Sequence, residues 1–173
     1  MLAEAFDKEV RIFCQSSESM PELKVSLELL ELYGRFIERK YDICQEEKLQ
    51  IRVSNVAGIG LRERDFKIMR EDHQLLALKV LFTGKEATVF QIFGESSFST
   101  EDLTRIGIVQ VRHDGKPHFI HRTFAEYFVA DCLVNRMTEG NNFSVQLMTF
   151  ILKDIFLGDD YRVIRVFIDG LLL

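Results

Sequence analysis

Three of the four histidines in the chain, His113, His118 and His121, crowd a short stretch with Asp114. Imidazole and carboxylate groups are metal ligands, and zinc needs several of them converging tetrahedrally. In a regular strand, residues three apart such as His118 and His121 point to opposite faces. That spacing argues for solvated hairpin histidines and no metal site. His121 differs from the other two in its neighbours. Thr123 and Glu126 stand in capping-box spacing at the start of a predicted helix, where each side chain can satisfy an orphan N–H. His121 therefore lies at the junction of a strand and a helix, where a ring can face a ligand while rigid elements on both sides hold it. A neutral imidazole donates one hydrogen bond, and a protonated one adds charge assistance.

Other chemistries lack their residues. A P-loop needs Gly-x4-Gly-Lys-(Ser/Thr), so that backbone amides cradle phosphates and a hydroxyl holds magnesium. The Gly-Lys pairs here, Gly84-Lys85 and Gly115-Lys116, have neither the upstream Gly nor the following hydroxyl. Neither Gly-x-Ser-x-Gly nor a supported Cys-His arrangement occurs. Asp131 falls on the helix opened by Thr123, and Glu126 is explained as a cap. The expectation is a chain that is not an enzyme, with no catalytic residues and no cofactor of its own.

Those residues have to be positioned by a globular chain, and the composition permits one. The chain has 173 residues, 47% of them hydrophobic, with 15 Phe and no Trp, so aromatic packing falls mainly to Phe. A net charge of −5 argues against a general nucleic-acid surface. Cys14, Cys44 and Cys132 are far apart and odd in number, which favours a reducing, cytoplasmic setting over a disulfide framework. The charged start is unlike a signal peptide, and no apolar run approaches the roughly 18–20 residues that span a bilayer.

The predicted elements are mainly helical. Met1 to Phe13 carries an apolar stripe, and residues 15–21 read as a loop. A long helix from about Ser26 to Lys48 places Leu27, Leu30, Gly34, Ile37, Tyr41 and Cys44 on one face. Leu29, Tyr33, Phe36 and Ile43 fill a second face, so a wide arc is buried. Gly34 costs roughly 1 kcal/mol relative to Ala there, which close backbone packing would explain. Residues 51–60, with two glycines, read as a connector. A charged stretch from Leu61 to Asp72 leads into a helix from Gln74 to Phe82, stopped by Gly84.

A short helix around Lys85–Phe93 comes next, and then one over Ser99–Ile106 with Ser99 as N-cap and acids in its first turn. Ile108–Arg112, an Asp114-Gly115 turn and His118–His121 make a hairpin. Helix, helix, helix, hairpin is the order of a winged helix. Beyond the Thr123 helix, Phe143–Leu157 and Tyr161–Asp169 form two more helices, with Asp159 or Asp160 capping the second. Apolar ends, Met1–Phe13 and Phe167–Leu173, suit a segment of a longer protein or docked terminal helices.

The run Phe119-Ile-His-Arg-Thr-Phe-Ala-Glu-Tyr-Phe128 resembles the winged-helix segment of NACHT-type signal-transduction (STAND) ATPases, relatives of the NOD-like receptors. Leu32-Tyr-Gly-Arg-Phe-Ile-Glu-Arg-Lys40 is similar to the helix that follows that family's nucleotide-binding core. His73-Gln-Leu-Leu-Ala-Leu78 is similar to the first winged-helix segment of insect proteins joining NACHT modules to ankyrin repeats, and Met1-Leu-Ala-Glu4 to the tail of the preceding helical motif. The likeness covers most of the chain in the family's order. It implies the end of a first helical domain (residues 1–60), a winged helix (61–137) and the start of a second helical domain (138–173). It also implies an ATPase core upstream and repeats downstream in the same protein, with ADP or ATP bound by the whole. The family's winged-helix histidine touches the diphosphate of ADP and latches the inactive form; His121 is the position matching it, and a structural histidine capping its own hairpin is the alternative.

Three functions are compatible with these residues. The first is a non-catalytic regulatory segment of a NACHT-like ATPase, active in intramolecular docking, nucleotide-state sensing and self-association. The second is a free-standing protein-interaction module without an ATPase core. The third is a DNA-binding winged helix, which the charge opposes: the recognition position, Thr100–Ile106, offers Glu101 and Asp102 against one Arg105.

Overall fold

A computed structural model describes residues 22–48, 56–85, 92–94, 100–138 and 144–173. The expected helix at Met1–Phe13, the loop over residues 15–21, the Ser99 cap and most of the short helix before Gly94 lie outside them. Within them the chain is mainly helical with one small antiparallel hairpin.

Helix α1 spans Glu22–Ile43 and continues as a π-helical turn over Cys44–Lys48. Its expected faces both pack inward: Ile37, Tyr41 and Cys44 are buried, and Leu29, Leu30, Tyr33 and Phe36 lie against the core. Glu31 and Arg35 pair on the exposed side at 2.5 Å. Gly34 is less constrained than its helical cost suggests. A Cβ there would meet the Tyr127 hydroxyl at 3.8 Å, an ordinary contact.

Helix α2, Val56–Leu81, corrects two expectations at once. Residues 56–60 are helix and not connector, and the charged stretch is the middle of the same helix. Leu, Arg, Glu, Lys and Met are good helix formers, and over 26 residues their preference outweighs Gly58 and Gly60. The expected division at residues 60 and 61 therefore falls inside a helix. Leu76, Ala77 and Leu78 are buried, with Phe82 just beyond the helix end, and the chain turns at Gly84, whose φ of +90° suits Gly alone.

Helix α3, Thr100–Ile106, buries Leu103 and Ile106 and ends at Gly107. Strands β1 (Val109–Val111) and β2 (Pro117–Phe119) pair in the register Val109 to Phe119 and Val111 to Pro117. A tight turn joins them: Arg112 and Lys116 close it, Gly115 takes φ +76°, and the Asp114 carboxylate accepts from the Lys116 N–H at 3.0 Å. Pairing stops at Phe119, two residues short of the expected strand end, so His121 stands clear of the ladder.

Helix α4, Arg122–Thr138, is the centre of the molecule. Every residue from Phe124 to Val134 is buried, which an amphipathic surface helix would not allow. Helix α2 packs on one side of it and α6 (Arg162–Leu172) on another. The chain reaches α6 through α5 (Val145–Phe150), a π-helical continuation over Ile151–Phe156, and a 3-10 turn at Asp159–Tyr161. Ser144 caps α5 by accepting from the Leu147 N–H at 3.1 Å. Neither Asp159 nor Asp160 caps α6. Instead Arg165 reaches back to the carbonyls of Ile155 and Gly158 at 2.8 and 2.7 Å, satisfying acceptors that the preceding helix leaves open.

Candidate functional site

The junction between hairpin and α4 is built differently from a capping box. Glu126 pairs with Arg122 at 3.0 Å, one turn back on its own helix. Thr123 turns its hydroxyl away from the helix backbone, toward His121 and Tyr33. The cap is His121 itself. Its carbonyl accepts from the Phe124 N–H at 3.1 Å, and its ring Nδ1 accepts from the Thr123 N–H at 3.3 Å. The Thr123 hydroxyl lies 2.6 Å from the same Nδ1. A backbone N–H can only donate, so Nδ1 is the unprotonated nitrogen and the proton sits on Nε2. The ring is exposed, and no partner occupies Nε2 among the described residues.

Tyr33 on α1 completes this arrangement by hydrogen bonding to Thr123 Oγ1. Its ring is wedged edge-on against Phe124 and Phe167, with centroids 4.9 and 5.5 Å apart. Burial raises the Tyr33 pKa, the Thr123 bond lowers it and the Glu126 carboxylate raises it further, so the hydroxyl keeps its proton.

The other hairpin histidines stay apart from it. His118 Nε2 lies 2.9 Å from the Gln110 amide across the hairpin, and His113 is exposed in the turn. Among the described residues no group of three or more His, Cys, Asp or Glu side chains is placed to hold a metal ion. On α3, Glu101 and Arg105 are both exposed, so that helix shows acid beside base at its surface.

A second polar constellation joins α2 to α4. Asp131, 2% exposed, accepts from Arg70 through both carboxylate oxygens, the Nε bond measuring 2.6 Å, and from the Gln74 amide at 2.7 Å. Its donors Arg70 and Gln74 line a groove of about 750 Å³, together with Glu38, Tyr41, Phe66 and Tyr127, among others. His121 is not part of that groove. Beside the cluster, His73 is fully buried and stacked on Phe128 at 5.1 Å. The Met69 carbonyl, 2.7 Å from His73 Nδ1, can only accept, so here Nδ1 carries the proton. Among the described residues, His73 Nε2 is buried without a partner. Burial lowers the His73 pKa to about 4, against smaller opposing effects from the Met69 bond and the Asp72 charge.

Sequence reasoning reached His121 and missed Tyr33 as its companion, along with the Arg70 and Gln74 donors of the second constellation. The signal for those donors was Asp131: a carboxylate inside an otherwise apolar helix stretch requires one. No signal in the sequence paired Tyr33 with Thr123, 90 residues away. Comparison with known protein families, curated proteins and solved structures gave no match. No helix among the described residues is long and apolar enough to cross a membrane.

Proposed function

We propose that this chain is the winged-helix and flanking helical segment of a NACHT-type signalling ATPase, acting in the cytoplasm without catalysis of its own. Its work is to dock on an ATPase core encoded upstream and to report which nucleotide that core holds. Repeats downstream in the same protein and self-association supply its other contacts. The observation that carries the reading is the bonding of His121. Its Nδ1 is occupied and its Nε2–H is an unclaimed donor, among the described residues, on an exposed ring at the head of α4. An exposed, uncommitted N–H of this kind can donate to a phosphate oxygen. A contact made to ADP and not to ATP makes binding depend on state, and only such differential contacts shift a conformational equilibrium.

The test is His121→Ala in a protein that includes the ATPase core. ADP retention is expected to weaken by roughly tenfold, the effect of one charge-assisted hydrogen bond, with a rise in spontaneous activation. Unchanged ADP occupancy would sink the latch.

A second reading, a free-standing interaction module, has its own observation. Val145, Met148, Leu152 and Phe156 succeed one another at three- and four-residue steps along α5 and its continuation, each at least 41% exposed. Apolar stripes of that kind serve as contact surfaces. Sequencing the full-length transcript separates the two readings: an in-frame P-loop upstream supports the first, and a transcript opening at Met1 supports the second.

A further inference from the structure

The donors and acceptors around His121 admit one consistent arrangement, and it reaches across the fold. The Thr123 N–H donates to Nδ1, so Nδ1 has no proton to give, and the Thr123 hydroxyl beside it must donate as well. With its own proton committed, Thr123 Oγ1 can only accept from Tyr33. Tyr33 has a proton to donate, and its ring is fixed against Phe124, Tyr127 and Phe167. The order is therefore Tyr33 O–H to Thr123 Oγ1, Thr123 O–H to His121 Nδ1, and the remaining ring proton outward on Nε2. Hydroxyls in such chains polarise one another, which strengthens each bond.

We infer that Tyr33 and Thr123 are positioning residues that hold His121 as the Nε2–H tautomer with that donor facing outward. The inference rests on the reading of His121 as a phosphate donor and adds what makes it one. An imidazole free to exchange tautomers would present a lone pair part of the time, which repels a phosphate oxygen. The relay removes that state. It also makes the donor depend on helix α1 lying where it does, since Tyr33 comes from α1 and His121 from the hairpin junction. Among the described hydrogen bonds, Tyr33 is the link from α1 to the imidazole.

The test needs no nucleotide. Long-range proton–nitrogen correlation spectra of the 173-residue chain, uniformly labelled with nitrogen-15, distinguish protonated from unprotonated ring nitrogens. His121 is expected as Nε2–H and His73, in the same spectrum, as the opposite Nδ1–H form, which serves as an internal reference. Thr123→Val deletes the hydroxyl while keeping the shape, and the ratio of Nε2–H to Nδ1–H at His121 should fall by roughly fivefold, the effect of one ordinary hydrogen bond. Tyr33→Phe should lower it in the same direction by less, because it removes the polarising donor only. Thr123→Ser should restore the wild-type ratio, which a general loss of packing would not. An unchanged ratio in Thr123→Val, or Nδ1–H at His121 in the wild type, overturns the relay. Should Thr123→Val unfold, Tyr33→Phe against Thr123→Ser carries the same decision. An unchanged ratio in Thr123→Val strikes the relay alone. Nδ1–H in the wild type removes the Nε2–H donor on which the relay and the diphosphate contact both rest. Unchanged ADP retention in His121→Ala strikes the contact and leaves the tautomer result intact.

Discussion

Burial holds the His73 ring neutral, with its pKa lowered to about 4 from the ordinary 6.5. The linkage has a definite sign. Between those two values the unfolded chain binds a proton that the folded chain refuses, so stability falls as pH is lowered from 6.5 to 4 and is unaffected by this group above 6.5. The expected loss is on the order of 3 kcal/mol. Urea midpoints at about pH 7 and about pH 4.5 measure it, and His73→Gln, which cannot titrate, should flatten most of the difference. An equal drop in both proteins would place the acid sensitivity elsewhere. At this scale the sequence was informative about identity and poor on partnership. The pattern around Phe119 to Phe128 singled out His121 and its strand-to-helix position. It could not show that the histidine caps the helix, because capping-box spacing depends on residue type alone while the choice of partner depends on χ angles. The Thr123 side chain was drawn toward a tyrosine from a distant helix, leaving Glu126 to Arg122.

Helices α2 and α4 pack closely along their length, and between them Asp131 is the carboxylate bonded to both Arg70 and Gln74. Asp131 is the buried member of this pair and the Arg70 side chain is half-exposed, so removing the arginine strands a buried carboxylate. Arg70→Met would leave the Asp131 carboxylate, 2% exposed, with Gln74 as its described donor, and should cost about 1–2 kcal/mol. Adding Asp131→Asn to that variant removes the stranded charge and should recover a substantial part of the loss. Denaturant unfolding of the single and double variants checks this; a double variant less stable than Arg70→Met would contradict the clamp. The long helix α1, the Asp114-Gly115 hairpin and the two late helices were legible because period, turn chemistry and length agree there. The start of α2 was not. Gly58 and Gly60 look like punctuation locally, and only the summed preference of the residues after them reveals that the helix runs through.

At the scale of the whole molecule, the core is continuous from Ile37 on α1 through Leu78 and Phe128 to Phe167 and Ile168 on α6. The first border of the expected three-part division falls inside α2, and the apolar packing crosses both borders: Phe167 meets Tyr33 and Tyr127 at 5.5 and 5.6 Å. Sequence patterns report which residues are apolar and say little about which helix each will face, so this continuity was out of reach. The tyrosines that it encloses also give the molecule a built-in optical gauge. With no tryptophan to mask them, 4 phenols account for the near-ultraviolet spectrum together with phenylalanine. Burial pushes Tyr127 up to about 12 and Tyr41 well above the ordinary 10. In alkali the unfolded chain therefore sheds phenolic protons that the folded chain keeps, and stability declines as pH rises past 10. Tyr41 and Tyr127 are expected to ionise together in one steep, late step that coincides with loss of helical circular dichroism, after the more accessible Tyr161. All the phenols titrating smoothly near the ordinary value of 10 with the helix signal intact would mean that water already reaches the core. The steep step would make phenolate absorbance a label-free record of when this core opens.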